Sequence, residues 1–179
     1  MTDQHLILIR GNSASGKTTL ARELQLAMGR GTANIGQDHF RRVVLREHDI
    51  PHGDNIDLIA TTARHCLDAG YHVILEGIFL SGHYSTMLRH LFSAHQGPSH
   101  TFYLDVPLDE TLRRHQRRPL SVHVTDEKLR EWYVASDLLG TPGEFVLDHT
   151  RETTAIVRDA LNIIGPITPR PEQTGGRYL

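Results

Sequence analysis

The sequence predicts an α/β fold, a parallel sheet covered by helices on both faces. Two observations carry this. A glycine-bounded loop joins a strand-length apolar run to a run of helical period, and runs of the two kinds then alternate along the whole chain. Strands separated by helices imply right-handed crossovers, hence parallel pairing and burial of both sheet faces. No internal repeat or domain linker interrupts the alternation, so residues 1–165 are expected to form one domain. Residues 166–179, rich in Pro and Gly, are expected to be a loosely ordered tail.

Leu6-Ile7-Leu8-Ile9 is the first predicted strand, and Leu20, Ala21, Leu24, Ala27 and Met28 repeat at helical spacing until Gly29 and Gly31 stop them. Thr32-Ala33-Asn34-Ile35 reads as a second strand, followed by a helix from about Asp54, a plausible N-cap, with Ile56, Ile59, Ala60, Ala63 and Leu67 on one face. Tyr71 to Glu76 is a third strand, and Met87, Leu88, Leu91 and Phe92 mark a helix. Thr101 to Val106 is a fourth strand ended by Pro107, which an arginine-rich helix follows as far as Arg118-Pro119. A helix from near Thr125, a strand at Phe145-Val146-Leu147 and a helix capped by Thr150 and ending at Gly165-Pro166 complete the series.

The connecting loop is more specific than the pattern around it. Gly11-Asn12-Ser13-Ala14-Ser15-Gly16-Lys17-Thr18 spells G-x-x-x-x-G-K-[ST], placed between strand and helix as a phosphate-binding loop must be. Its amides and the first helical turn converge on one concavity that suits nucleotide phosphates. Gly11 through Thr19 are therefore the expected nucleotide-binding residues. Lys17 reaches the β and γ oxygens, and the Thr18 hydroxyl ligates Mg²⁺.

Composition narrows the class. At 179 residues the chain can bury about two-thirds of its unfolded surface. No apolar stretch approaches the roughly 20 residues of a membrane span, and no signal-peptide pattern opens the chain. Cys66 is the single cysteine, so a reducing cytoplasm is expected. The net charge of −2 exerts no overall pull on nucleic acid or anionic membrane. Among 19 basic residues only Lys17 and Lys128 are lysines, and a compact ammonium suits the phosphate loop.

A nucleotide site can serve a switch, a motor or a phosphotransferase. No N-K-x-D base-reading segment is present, and the third strand ends in Leu75-Glu76-Gly77 with one acid rather than a pair. A phosphotransferase needs a base for the acceptor, cations over the moving phosphate and a lid, and a candidate exists for each. Asp38 lies at the C-terminal end of the second strand, the edge where ligands collect, and can take the proton of an attacking hydroxyl. If Phe40 opens a helix, Arg41 shares its pocket. Arg113, Arg114, Arg117 and Arg118 form two i,i+4 pairs on one helix, with Arg114 and Arg118 on a common face. Guanidinium forks bind phosphoryl oxygens in pairs and stabilise their transition-state charge.

Asn34 to Arg41 resembles the segment carrying the catalytic Asp and an orienting Arg in polynucleotide 5′-hydroxyl kinases, and also the D-x-F-R segment of zeta-toxin-type kinases. Leu104-Asp105-Val106-Pro107 through Arg114 and Arg118 lies without gaps on the lid of the former. The wider group includes gluconate kinase and chloramphenicol phosphotransferase. The resemblance implies a nucleoside-monophosphate-kinase-like three-layer α/β/α P-loop fold, sheet order 2-3-1-4-5, with a helical lid over about 113–137. It further implies ATP and Mg²⁺ as cofactors, with Lys17, Asp38, Arg114 and Arg118 catalytic. The expected activity is transfer of the γ-phosphate of ATP to a hydroxyl of a small metabolite, sugar, nucleoside or antibiotic. A nucleic-acid 5′ end is the alternative acceptor, and a toxin-like or regulatory nucleotide-binding module is the alternative class.

The acceptor side is less legible. Glu76 can serve Mg²⁺-bound water or the acceptor, although Asp is usual there in polynucleotide kinases. Gly77 to Tyr84 reads as an acceptor-pocket loop, with Phe79 and His83 beside Asp38, Arg41 and Glu76 as substrate contacts. Trp132 and Tyr133 read as packing residues, with stacking on a base or sugar as the alternative. The 13 histidines show no zinc-site spacing: Pro51 separates His48 from His52, and His90 and His95 fall on different faces.

Overall fold

The computed structural model describes residues 3–117 and 124–168. Five strands, β1 (Leu6–Gly11), β2 (Thr32–Gly36), β3 (His72–Glu76), β4 (Ser99–Leu104) and β5 (Glu144–Leu147), form one parallel sheet in the order β2-β3-β1-β4-β5. Helices α1 (Lys17–Met28), α2 (Asp54–Asp68), α3 (Ser81–Ala94), α4 (Leu108–His115), α5 (Asp126–Trp132) and α6 (Thr153–Ile164) complete the chain. The order is the expected 2-3-1-4-5, and the architecture is the three-layer P-loop fold.

β1 is buried at every position, and its alternation divides the core. Leu6 and Leu8 join Ile35, Val73 and Leu75 under α2 and α3, against Ile59, Ala63, Leu88 and Leu91. Ile7 and Ile9 face the other way, with Ile74, Phe102 and Leu104, onto Leu20 and Leu24 of α1 and Ala160 and Ile164 of α6. Successive side chains of a strand point to opposite faces, so one apolar run serves both cores. Each fully buried Leu or Ile stabilises the fold by about 1.5–3 kcal/mol.

The boundaries differ from expectation where local chemistry is ambiguous. Gly53, not Asp54, is the N-cap of α2, and Asp54 begins the helix. α5 starts next to Thr125 as expected, and Thr125 is its N-cap, the hydroxyl accepting from the Lys128 amide. Thr150 does not cap α6, which begins at Thr153 with Glu152 at the N-cap. The Thr150 hydroxyl and amide both donate to Asp148 Oδ1, a tight local turn that removes it from the helix. The described start of the tail is tied down: Ile167 packs on the α1–α6 core and the Thr168 carbonyl lies 3.0 Å from His72 Nε2.

Candidate active site

The phosphate loop leaves β1 at Gly11. A side chain there would place Cβ 2.6 Å from the Leu104 carbonyl oxygen, and φ is +148°, so only glycine fits. Gly16, at φ +102°, turns the chain into α1 in a region that L side chains avoid. Lys17 is buried, and its Nζ donates to the Asn12 carbonyl at 2.7 Å and to Ser15 Oγ at 3.3 Å, which holds the ammonium across the loop. Ser13, Ala14, Gly16, Lys17, Thr18 and Thr19 line a cleft of about 310 Å³. Ser15 lines a neighbouring hollow together with Gly16, Thr19, His149, Arg151 and Thr153. Gly11 and Asn12 line neither; they shape the loop from behind.

Across the cleft stand Asp38, Arg42, Glu76, Gly77 and Ile78. Asp38 precedes a π-helical segment, His39–Leu45, and its side chain caps nothing there. Its Oδ1 instead accepts from Arg41 Nη2 at 3.0 Å and Arg42 Nε at 3.2 Å. The carboxylate is 58% exposed and open to a ligand. The widened i→i+5 turn, a form frequent at functional sites, brings the residue four positions on to the cleft, so Arg42 lines it and Arg41 does not. Arg41 is largely buried, its Nη1 donating to the Glu47 carbonyl at 3.4 Å. Arg42 was not singled out by sequence, although its spacing from Asp38 was a usable signal. Glu76 ends β3 opposite Ile9 of β1, which puts its Oε2 3.1 Å from the donating Thr18 hydroxyl.

Arg114 stands between the cleft and the neighbouring hollow. From α4 it donates to the Ser15 carbonyl at 3.2 Å and the His149 carbonyl at 3.1 Å, and it borders both hollows. Glu110, one turn earlier, accepts from both Arg113 and Arg114, and these two guanidiniums hold its carboxyl down at about 2. Arg113 is spent on that surface pairing. Arg118, expected to share the Arg114 face, lies outside the described residues.

Two expected substrate contacts fall elsewhere. Phe79 is fully buried, edge-on to Tyr84 in the α2–α3 core, and cannot touch a ligand in the cleft. Its φ of +43° turns the ring inward, and the Gln37 side chain accepts from its amide at 2.9 Å. His83 is not in a loop, because α3 begins at Ser81. It lies 3.6 Å from Asp49 and lines a separate hollow between α2 and α3. Of the two aromatics read as packing, Tyr133 does pack, its hydroxyl donating to the Val106 carbonyl at 3.1 Å. Trp132 is 44% exposed and lines the cleft.

Arg10 escaped the sequence reading altogether. Fully buried at the end of β1, it donates to the Phe79 and Asp137 carbonyls and pairs with the Asp137 carboxylate at 2.7 Å and Glu144 at 3.4 Å. One guanidinium thereby ties the root of the phosphate loop to the turn before α3, to the chain after α5 and to β5. Asn12 adds two hydrogen bonds, from its Nδ2 to the Val134 carbonyl and from the Val134 amide to its Oδ1.

This geometry agrees with the comparisons. The family described as an AAA domain matches residues 6–136, from β1 through the cleft to the chain after α5. The chain belongs to that family. No curated protein matches its sequence significantly. Among solved structures, a gluconokinase from Sinorhizobium meliloti 1021 aligns with a TM-score of 0.65 and 18% identity over 92% of this chain and 93% of that one. The APS kinase of Mycobacterium tuberculosis, in complex with AMPPNP and APS, gives 0.68 and 15% over 92% and 99%. A sugar kinase from Janibacter sp. HTCC2649 gives 0.62 and 23% over 90% and 94%. At these identities the likeness is one of fold.

Proposed function

We propose that the protein is an ATP-dependent kinase that phosphorylates a hydroxyl group of a small molecule. One observation carries this reading: Asp38 and the Lys17–Thr18 end of the phosphate loop line the same cleft, with Arg114 at its border. In the reaction Asp38 accepts the acceptor hydroxyl proton as that oxygen bonds to the γ-phosphorus. The bond from the γ-phosphorus to the β,γ-bridging oxygen breaks, and ADP leaves with the electron pair. Lys17 and Arg114 stabilise the charge spread over the transferring group. Arg41 and Arg42 keep the Asp38 side chain oriented. The hollow beside His149 and Arg151 takes the rest of the nucleotide. Thr18 and Glu76 supply adjacent hard oxygen donors that suit Mg²⁺, which would neutralise phosphate charge there.

The roughly 310 Å³ cleft and its mixture of Asp38, Glu76 and Arg42 favour a small acceptor over a nucleic-acid end, which needs a basic track for its phosphates. The deciding experiment is transfer of label from γ-labelled ATP to sugars, nucleosides, aminoglycoside-like compounds and 5′-hydroxyl oligonucleotides, beside Asp38→Asn. Transfer to a small alcohol that Asp38→Asn abolishes supports the reading. An equally active variant would remove Asp38 from its role.

A further inference from the structure

Trp132 stands out among the cleft residues. It is the chain's single tryptophan and the last residue of α5, and the residue is 44% exposed in a lining otherwise dominated by charged and small groups. It is also held in place. The next residue, Tyr133, donates its hydroxyl to the Val106 carbonyl, and Val134 makes two hydrogen bonds with the Asn12 side chain at 2.8 and 3.1 Å. The backbone that carries Trp132 is thus tied to the phosphate loop, and an aromatic residue on an anchored backbone loses less entropy on binding than one on a free loop. It lines the cleft that contains Asp38 and not the hollow beside His149; with the rest of the nucleotide in that hollow, as the kinase reading has it, Trp132 is left to the acceptor.

The charges at that end select further. Asp38 engages both Arg41 and Arg42 through one oxygen, and Glu76 adds a second carboxylate. Among the described residues, Arg41 and Arg42 are balanced there by Asp38 and Glu76, and Lys17 and Arg114 are taken up with the nucleotide phosphates on the kinase reading. That wall therefore offers no net positive charge to an acceptor carrying its own phosphate, sulfate or carboxylate. The volume leaves room for about one ring beside the terminal phosphate.

We propose that Trp132 is the acceptor platform, and that the acceptor is an uncharged, ring-bearing alcohol, a sugar or nucleoside, whose apolar ring face stacks on the indole while a hydroxyl reaches Asp38. This rests on the kinase reading and adds the substrate class to it.

The emission of Trp132 reports directly on the site. Protein loaded with AMPPNP is titrated with hexoses, pentoses and nucleosides, and separately with open-chain and anionic alcohols. A change in emission confined to ring compounds, matched by their use in the transfer assay, is expected. For the best ring acceptor, Trp132→Ala and Trp132→Leu raise KM about tenfold to a hundredfold, the range of one stacking contact, with a much smaller effect on kcat. Trp132→Phe restores most of the loss, and melting curves show whether each variant is folded. An unchanged KM in Trp132→Leu, or a best acceptor that is open-chain or anionic, would overturn the proposal and leave the kinase reading standing. Absence of transfer to every alcohol, while AMPPNP still alters emission, would overturn the kinase reading and this proposal with it.

Discussion

The two walls of the cleft are built on different principles. The phosphate wall is one continuous stretch, Ser13 to Thr19, set by backbone geometry, with Lys17 buried and bonded within the loop. The opposite wall is gathered from three distant segments, at Asp38–Arg42, Glu76–Ile78 and Trp132. Its acid is 58% exposed, and Val43, Val44 and Ile50 beyond it are all more than half exposed. A loop that must fit one invariant chemical group can be rigid and local. A surface that defines an individual acceptor is assembled from parts that can vary independently.

If the walls are separable, Asp38→Asn lowers the rate of phosphoryl transfer about a hundredfold to ten-thousandfold and leaves nucleotide affinity almost unaltered. Single-turnover kinetics and an AMPPNP titration measure the two, and a parallel loss of both would break the distinction. The joint between the walls is Arg10. Arg10→Met strands the carboxylates of Asp137 and Glu144 in a buried site and should cost about 3–5 kcal/mol in denaturant unfolding. A loss below about 1 kcal/mol would mean that the walls do not depend on that guanidinium.

Arg114 sharpens the contrast on a smaller scale. Arg114→Ala should lower kcat about a hundredfold, whereas Arg113→Ala, which removes an exposed pairing with Glu110, should leave kcat and melting temperature almost unchanged. Equal effects of the two on kcat would show that the helix acts through bulk charge and not through the placement of one fork.

The smallest effect lies at the opposite edge of the sheet. Burial, together with His100, His72 and His95, lowers His5 from its ordinary 6.5 to about 4. Its Nδ1 lies 3.2 Å from His100 Nε2, and burial lowers His100 as well. Between pH 6.5 and 4 the unfolded chain binds protons that the folded chain refuses, so stability is full above that window and falls as pH falls through it. Melting temperature should decline from pH 6.5 toward 4, while nucleotide affinity measured well below the melting temperature follows a different profile. A flat melting profile would show that His5 takes up its proton as readily in the folded chain as in the unfolded one.

Legibility followed sequence distance. The phosphate loop, the alternation of strands and helices and the helix start near Thr125 were readable because each is fixed by residues within about one turn of one another. Phe79 and His83 were misplaced because a loop with aromatic residues looks the same whether its rings face a ligand or a core. Only the inward turn at Phe79 and the start of α3 at Ser81 separate the two cases. Arg41 was chosen over Arg42 because an ordinary helix was assumed where the chain forms a wider turn.

The sequence by itself determined that this chain grips phosphates, that its sheet is parallel and that an acid waits at the end of the second strand. Each of these is written in short-range pattern and in the covalent period of strand and helix. Only the tertiary structure decided which arginine faces the cleft, that Arg10 is the buried tie and that Trp132 lines the cleft. Those outcomes depend on contacts between residues up to 134 positions apart, as between Arg10 and Glu144. Packing and desolvation set such contacts, and no local pattern records them.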